Sequence, residues 1–254
     1  MDIIFVCTKS ITFNTFLETQ AKYLLKRGLK VKVVCSDIEN LNLKKIFSYK
    51  INFPTRYLDL INIFKYIKIF FQIKNLINNN KSSIFYLHTP VASNLFRFFT
   101  LFYDLKIIYF VHGFRFTSKT NFLSSFFFKI IEKVLSLKTK VFITINNEDF
   151  NYAKNNLFKK APVYKINGVG LNLKKKNQKN LIKKNHVSKI LVIAAYRNSK
   201  GYIDLIKVAE LLKKKNFVIT CYGYGEKKSY ENIKVKKKLN NIFFKKFDKK
   251  LNYK

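Results

Sequence analysis

Two histidines stand where strand-like stretches of the sequence end, at positions that could carry chemistry. His112 and Gly113 follow one apolar run, and His88 and Thr89 follow another. Ligands of parallel α/β sheets bind outside the carboxyl ends of the strands, so both histidines are candidates for a ligand site. Gly113 strengthens the case for His112, because glycine permits a tight turn or the close approach of a ligand. The alternatives are an ordinary core histidine at position 112 and a hydrogen-bonded strand–helix junction at position 88.

A lysine and a glycine mark a second candidate position, in the turn "RNSKGY" between a strand-like and a helix-like stretch. There Lys200, Gly201 and the amino terminus of the following helix could hold a phosphate together. Gly223 and Gly225, in "GYGEKK", resemble the start of a glycine-rich loop. A solvated turn is the alternative for the first segment, and simple turn punctuation for the second.

Two common kinds of site are disfavoured. The segment after the first strand, "TKSITFNTF", lacks the Gly-x-Gly-x-x-Gly pattern, which argues against a dinucleotide fold of the dehydrogenase kind. Cys7, Cys35 and Cys221 are far apart and do not combine with histidine in a zinc-type spacing. They are interpreted as buried free thiols of a reducing compartment, and neither a metal nor a cofactor is expected.

Short apolar runs alternate with longer amphipathic ones, the pattern of parallel strands covered by crossover helices. Strands are predicted at 3–7, 31–35, 49–53, 84–88, 107–112, 140–145 and 163–166, and helices at 13–27, 58–79, 91–103, 122–137 and 147–156. A lysine- and asparagine-rich linker, 174–188, is followed by a second series: strand 189–196, helix 201–215 and strand 216–223. We therefore expect an α/β protein with two Rossmann-like domains, 1–173 and 189–254. The second is incomplete, because a doubly wound domain needs about 100–150 residues.

The charge is lopsided, with 50 Lys+Arg against 14 Asp+Glu and a formal net charge of +36. This balance favours a polyanionic partner, although compositional drift toward lysine and asparagine is an alternative source. Lysines are scattered over all segments, so no nucleic acid is expected as partner. The sequence opens without a basic leader, and its apolar stretches are interrupted by charge, which indicates a cytoplasmic protein. The predicted helix 58–79 has two alternative interpretations: it lies on a membrane surface, or it packs in the core with its lysines in solvent. The lysines and apolar residues concerned are Phe64, Lys65, Ile67, Lys68, Phe70, Phe71 and Lys74.

Four stretches, "HTPVA", "VHGF", "FITINNEDF" and "NGVGLNL", occur in this order along the chain. Together they resemble the retaining glycosyltransferases of family 4, which have the GT-B fold of two facing Rossmann-like domains. The closest similarity is to the bacterial capsule and exopolysaccharide branch. The resemblance implies transfer of a sugar from a nucleotide donor, commonly UDP-linked, to a lipid-linked or growing surface polysaccharide, with retention and without a metal. It also implies a place at the cytoplasmic face of the inner membrane.

The resemblance also implies roles for single residues. His112 falls on the family histidine that approaches the donor sugar, and Gly113 follows it as in the family. Lys200 and Gly201 match the phosphate-binding turn, where the lysine would stabilise charge on the departing diphosphate. Gly223 and Gly225 are weaker candidates for the donor side. On the acceptor side or between the domains, the candidates are His88, Thr89, Asn167 and Gly168.

Two departures from the family pattern affect the expected activity. The family arginine before the phosphate-binding lysine is replaced by Ala195, and Arg197, which is nearby but off register, is a weaker candidate for binding the phosphate. The pair of spaced glutamates that contacts the donor further along the second domain does not occur after Lys228. We therefore expect a truncated transferase with weak or no turnover. The alternative is a catalytically silent remnant that binds an acceptor or a partner protein.

Overall fold

In the computed structural model, both parts of the chain consist of parallel strands connected by helices. The structure describes residues 2–55, 63–116, 120–157, 160–170 and 187–246. The chain divides into a first unit, Met1–Leu173, and a second unit, Lys174–Lys254. The predicted linker, 174–188, lies almost entirely outside the described residues, as do the last eight positions of the predicted second domain.

Strands and helices alternate along the first unit. Its strands are β1 (Asp2–Val6), β2 (Lys30–Cys35), β3 (Phe47–Lys50), β4 (Ile84–Leu87), β5 (Lys106–Val111), β6 (Val141–Thr144) and β7 (Val163–Lys165). Its helices are α1 (Ser10–Thr12), α2 (Glu18–Lys26), α3 (Ile63–Asn78), α4 (Pro90–Phe99), α5 (Phe122–Ser136) and α6 (Asn147–Asn156). A π-helical turn, Phe13–Leu17, joins α1 to α2, and a 3-10 turn, Ile38–Asn40, follows β2.

The seven strands pair in parallel in the order β3-β2-β1-β4-β5-β6-β7. From β1 the chain moves outward to β2 and β3, then returns to the other side of β1 to form β4. The strand order reverses at this point, and the crevice beyond the carboxyl ends of β1 and β4 is where ligands of such sheets bind.

Both faces of the first sheet are covered, so its central strands are apolar at consecutive positions. On β1, Ile4 and Val6 belong to the core under α3, α4 and α6, whereas Phe5 belongs to the core under the π-helical turn and α2. All three side chains are completely buried. This continuous burial holds the strand ends, and the residues that follow them, in fixed positions.

A buried ion pair connects α4 to α5 on one face of this sheet. The Nη2 atom of Arg97 lies 2.7 Å from the Oε2 atom of Glu132 and 2.7 Å from the Oδ1 atom of Asn94. The guanidinium also stacks 4.0 Å from the ring centroid of Tyr109 on β5. The Arg97 side chain is fully buried and that of Glu132 is 4% exposed. The cost of removing these two charges from water is therefore offset by contacts within the protein.

The described part of the second unit repeats the same architecture on a smaller scale. Its elements are β8 (Ser188–Ile193), α7 (Tyr202–Leu211), β9 (Phe217–Gly223), α8 (Lys228–Lys236) and β10 (Ile242–Lys246), with parallel strands in the order β10-β9-β8. Tyr196, Tyr202, Tyr230 and Phe244 form an aromatic cluster in its core, with ring centroids 5.0–6.2 Å apart.

The predicted α/β class with parallel sheets is confirmed, and several element boundaries differ: the predicted helix 91–103 ends at Phe99, and the predicted strand 189–196 ends at Ile193. The third strand is Phe47–Lys50 rather than 49–53, because Ile51 and Phe53 are buried by packing while most of their backbone lies outside the ladder. The predicted helix 13–27 contains the π-helical turn, and the predicted helix 201–215 ends at Leu211, before a solvated lysine run. The predicted helix 58–79 is described only from Ile63 onward.

Two simpler expectations can be compared directly with the structure. Cys7, Cys35 and Cys221 are all buried and free, as predicted. Within the described ranges, each helix is too short or too polar to cross a membrane.

Candidate functional site

Two threonines hold the carboxyl ends of β1 and β4 together at the switch point of the first sheet. The backbone N–H of Thr8 donates to Oγ1 of Thr89 over 3.0 Å, and the two hydroxyl oxygens are 2.8 Å apart. The Thr89 hydroxyl donates to the carbonyl of His88, so the Thr8 hydroxyl donates to Thr89. Thr89 is also strained, with φ 65° and ψ 128°, a conformation that costs a β-branched residue about 1–3 kcal/mol. Its hydroxyl thus bonds to the scaffold, and its placing on the acceptor side or between the domains stays a prediction.

His88 lies beneath this junction and is completely buried. Its ring stacks on Phe5 at 5.8 Å and packs against Tyr86 at 4.3 Å and Phe110 at 5.2 Å, between ring centroids. Burial, and to a smaller extent the neighbouring His112, hold the pKa of His88 well below its usual value of 6.5. The ring is therefore neutral. The ring has no exposed surface. The placing of His88 on the acceptor side or between the domains stays a prediction.

His112 follows β5 and is the half-buried partner of His88. Its Nε2 atom lies 3.2 Å from Nδ1 of His88. Its ring lies 4.6 Å from Phe110 and 6.3 Å from Phe16, between centroids, and Phe16 belongs to the π-helical turn. Burial lowers the pKa of His112, so the neutral imidazole is favoured near pH 7. His112 thus presents a neutral, partly accessible ring at the carboxyl edge of the sheet, where the sequence predicted it.

The backbone beyond His112 is shaped by a glycine and a buried carboxylate. Gly113 has φ 132°, and a side chain at this position would meet no atom within 4 Å. The next backbone N–H, that of Phe114, donates to Oδ1 of Asp149 on α6 over 3.3 Å. Asp149 is 7% exposed and also binds the side chain of Asn146, the residue that caps α6. The backbone of Gly113 is therefore open to a ligand, and the turn that follows it is held in place by Asp149.

Replacing Gly113 by alanine is expected to lower the free energy of unfolding by about 1–3 kcal/mol, because residues with a Cβ atom rarely adopt this φ. Space is available, so the loss comes from the backbone alone. Urea denaturation followed by circular dichroism measures it. The matched control is Gly28→Ala at the end of α2, which also has a positive φ and open space. A Gly113→Ala protein as stable as the wild type would contradict the strained conformation.

The buried histidine predicts a dependence of stability on pH. Its pKa is depressed in the folded state, so the unfolded state binds more protons once the pH falls below about 6.5. The free energy of unfolding should therefore fall as the pH is lowered from about 7 to 5, with a slope for His88 that approaches 1.4 kcal/mol per pH unit. Above about pH 7 this contribution is constant. Denaturation at several pH values should show a shallower slope for His88→Phe, and an unchanged slope would contradict the assignment.

The second unit carries the predicted phosphate-binding turn. Asn198–Lys200 forms a 3-10 turn, and Gly201, with φ 72°, is the N-cap of α7. No side chain of the described residues caps the first amides of α7. Lys200 and Arg197 are exposed, and Oδ1 of Asn198 is held by the hydroxyl of Tyr230 over 3.0 Å. An ammonium beside uncapped amides at a helix amino terminus is suited to a phosphate group.

The other glycines differ in what they do. A side chain on Gly223 would lie 2.0 Å from the carbonyl oxygen of Ala194, so this buried glycine lets β8 and β9 approach each other. Packing rather than phosphate binding accounts for it. Gly225, with φ 99°, is exposed in the following turn. Asn167 is exposed and Gly168 is half-buried with φ 98°, and both follow β7 in the first unit.

The described residues also bear on two other kinds of site, a metal site and an apolar cavity. No group of three or more His, Cys, Asp or Glu side chains that could hold a metal ion occurs in the described part of the chain. A cavity of about 660 Å³ lies far from the strand carboxyl ends, between the start of β2 and the loop before β3; its lining includes Leu25, Lys30, Lys32, Lys44, Lys45 and Phe47. It contains lysines but neither histidine.

The family follows from comparison with known proteins. A sequence model of the family described as "Glycosyl transferase 4-like" matches residues 3–147, more than half of the chain. The chain belongs to the glycosyl transferase 4-like family. The match includes β1, β4 and β5, and therefore both histidines.

One curated relative of this glycosyl transferase 4-like chain is EpsD of Bacillus subtilis (strain 168), provisionally named as a glycosyltransferase. The two are 28% identical over 228 residues, which cover 84% of this chain and 58% of EpsD. The chain thus spans well under two thirds of the length of that relative.

Solved structures share the fold. A glycosyltransferase from Rickettsia africae ESF-5 superimposes with a TM-score of 0.62 and 18% identity, over 98% of this chain and 69% of that one. TarM gives a TM-score of 0.69 at 12% identity, over 98% and 77%. HepE of Anabaena, in complex with UDP-glucose, gives 0.62 at 12% identity, over 98% and 69%. At these identities the likeness shows the fold alone, an α/β fold of the GT-B type.

Three residues of this glycosyl transferase 4-like site were missed by sequence reasoning. Thr8 and Phe16 became visible only from the strand order and from the π-helical turn, for which the sequence carries no simple signal. Asp149 could have been found, because an asparagine followed three residues later by an acid is the signature of a capped helix start.

Proposed function

We propose that this chain transfers a sugar from a UDP-linked donor to a lipid-linked or growing surface polysaccharide, with retention of the anomeric configuration. The family match over residues 3–147 carries the proposal, because that segment presents His112 at the carboxyl edge of the sheet. Two neighbours of the same fold support a UDP-sugar as donor: HepE in complex with UDP-glucose, and the UDP-GlcNAc 2-epimerase from Neisseria meningitidis bound to UDP-GlcNAc.

In this proposal, different residues stabilise the leaving group and bind the sugar. Breaking a glycosyl–phosphate bond develops negative charge on the diphosphate and positive character on the sugar. Lys200 and the uncapped amides of α7 stabilise the first, acting where charge develops in the transition state. His112 binds a sugar hydroxyl as a neutral ring. In this proposal the leaving group departs without a metal ion or a cofactor.

A peripheral position on an anionic membrane surface is part of the proposal. The outer face of α3 combines apolar and basic side chains: Phe64, Ile67, Lys68, Phe71 and Lys74 are exposed. Phe64 and Phe71 are 79% and 59% exposed, whereas the opposite stripe of the helix, which includes Ile69 and Ile73, is buried. Such a surface suits the interface of an anionic bilayer.

Flotation measures this association. We expect the protein to float with phosphatidylglycerol vesicles at low salt, and not with phosphatidylcholine vesicles. The Phe64→Ser/Phe71→Ser variant should bind more weakly at unchanged net charge. Equal flotation of variant and wild type would remove α3 from the proposal.

The activity itself is tested with radiolabelled UDP-glucose and UDP-GlcNAc, the purified chain and a lipid-linked acceptor fraction from bacterial membranes. The proposal expects label in the lipid fraction, and an α-linked product from these α-linked donors, measured by NMR. Saturable binding of a UDP-sugar without transfer would favour the silent binding module instead. Neither binding nor transfer with either donor would overturn the UDP-linked donor.

A further inference from the structure

We infer that His88 is a positioning residue that fixes the tautomer of His112, so that His112 offers its Nδ1–H to a ligand as a hydrogen-bond donor. Only the identity of the ligand, a sugar hydroxyl or other oxygen acceptor, rests on the proposed function. The tautomer itself rests on the geometry of the two rings.

The two rings share a single hydrogen bond. Nδ1 of His88 and Nε2 of His112 are 3.2 Å apart, so one atom carries the proton and the other accepts it. The surroundings of His88 keep it uncharged, because its ring is enclosed by Phe5, Tyr86 and Phe110. A neutral imidazole carries one proton, which lies on either Nδ1 or Nε2.

The remaining nitrogen of His88 decides between these two forms. Nε2 of His88 is completely buried and has no hydrogen-bond partner within the part of the chain that the structure describes. A proton on Nε2 would leave a buried N–H donor unpaired, which is rare in folded proteins, whereas an unpaired acceptor is better tolerated. The proton of His88 therefore lies on Nδ1 and is donated to Nε2 of His112.

The tautomer of His112 follows from that of His88. Since Nε2 of His112 accepts a hydrogen bond, its own proton lies on Nδ1. Nδ1 is not among the buried polar atoms without a partner, and no described residue hydrogen-bonds it. The adjacent Gly113 leaves open space at this edge of the sheet. Nδ1–H is thus available to an oxygen acceptor, and it cannot take a proton from the ligand because it already carries one.

The packing of His88 provides matched variants. His88→Phe keeps an aromatic ring among Phe5, Tyr86 and Phe110 but removes the donor. His88→Asn places an amide nitrogen near the position of Nδ1 but lacks the distal part of the ring, including the unpartnered Nε2. A structural role would be served better by phenylalanine, whereas a positioning role would be served better by asparagine.

The first measurement determines the tautomer of His112 directly. The chain has three histidines, so ring-¹⁵N-labelled protein gives a spectrum that can be assigned with His112→Gln. We expect His112 in the Nδ1–H form in the wild type and in His88→Asn, and a shift toward Nε2–H in His88→Phe. An Nε2–H form of His112 in the wild type would overturn the inference.

The binding of UDP-glucose tests whether the tautomer of His112 contributes to ligand affinity. Calorimetry should show that His88→Phe weakens binding of UDP-glucose by about three- to tenfold, the loss of one hydrogen bond, and leaves binding of UDP unchanged. His88→Asn should restore the UDP-glucose affinity. Equal loss for both variants would indicate a merely structural role and overturn the inference. The expected NMR result together with no binding of UDP-glucose or UDP-GlcNAc to the wild type would support the tautomer and refute the proposed donor.

Discussion

Replacing Glu132 by alanine is expected to destabilise the first unit by about 3–5 kcal/mol, because it leaves the charge of Arg97 buried without a counterion. The guanidinium is fully enclosed, and Nη2 makes its ionic contact with Glu132. Nη1 is buried without a hydrogen-bond partner among the described residues, so the other compensation comes from the stacking on Tyr109, the bond from Nη2 to Asn94 and a bond from Nε to the carbonyl of Ser93 over 3.4 Å. A loss of this size is a large part of the stability of an ordinary domain. Urea denaturation followed by far-ultraviolet circular dichroism measures it, and this signal suits a chain without tryptophan.

The double variant Arg97→Met/Glu132→Leu is the control for this prediction. It replaces the pair by apolar side chains of similar size, and such replacements are often neutral or stabilising. We therefore expect the double variant to be more stable than Glu132→Ala, with a strong coupling between the two positions. A Glu132→Ala protein within about 1 kcal/mol of the wild type would mean that water reaches Arg97 after all.

On the proposed function, replacing Lys200 by alanine is expected to lower the rate of sugar transfer by about 10²–10³-fold, the usual effect of removing a group that stabilises charge in the transition state. The affinity for UDP should fall less, because the amides at the start of α7 remain. Transfer of radiolabel from the donor measures the first effect and calorimetry with UDP measures the second.

Lys214→Ala is the matched control for Lys200→Ala. Lys214 is exposed just beyond the carboxyl end of α7, so the variant loses the same charge at the opposite end of the helix. We expect it to behave like the wild type. Equal losses in both variants would mean that the overall positive charge, and not the turn, attracts the donor.

Much of the first sheet could be predicted because its strands are buried on both faces, which makes them continuous apolar runs. The run before His112 ended where β5 ends, and Gly113 marked the turn that follows. The third strand was misplaced because Ile51 and Phe53 are buried apolar residues that follow its end at Lys50, and only the N–H of Ile51 among their described backbone groups bonds to β2.

The contacts between residues of the candidate site were harder to predict than the positions of the strands. His88 and His112 are 24 residues apart, and their contact depends on β4 and β5 being neighbours in the sheet. The sequence indicated parallel strands but not their order. Gly223 could not be told from a phosphate-binding glycine, because its role is set by the backbone of Ala194 on the adjacent strand. The π-helical turn that presents Phe16 likewise depends on tertiary packing.

The strand order has a consequence for synthesis on the ribosome. β1 pairs with β2 on one side and with β4 on the other, yet β4 is translated about 50 residues after β2. At roughly 5–20 residues per second, one edge of β1 stays open for several seconds. An apolar edge of this kind is a template for pairing with other chains. The nascent chain is therefore expected to need a chaperone during this interval, and slower translation between β2 and β4 should increase aggregation.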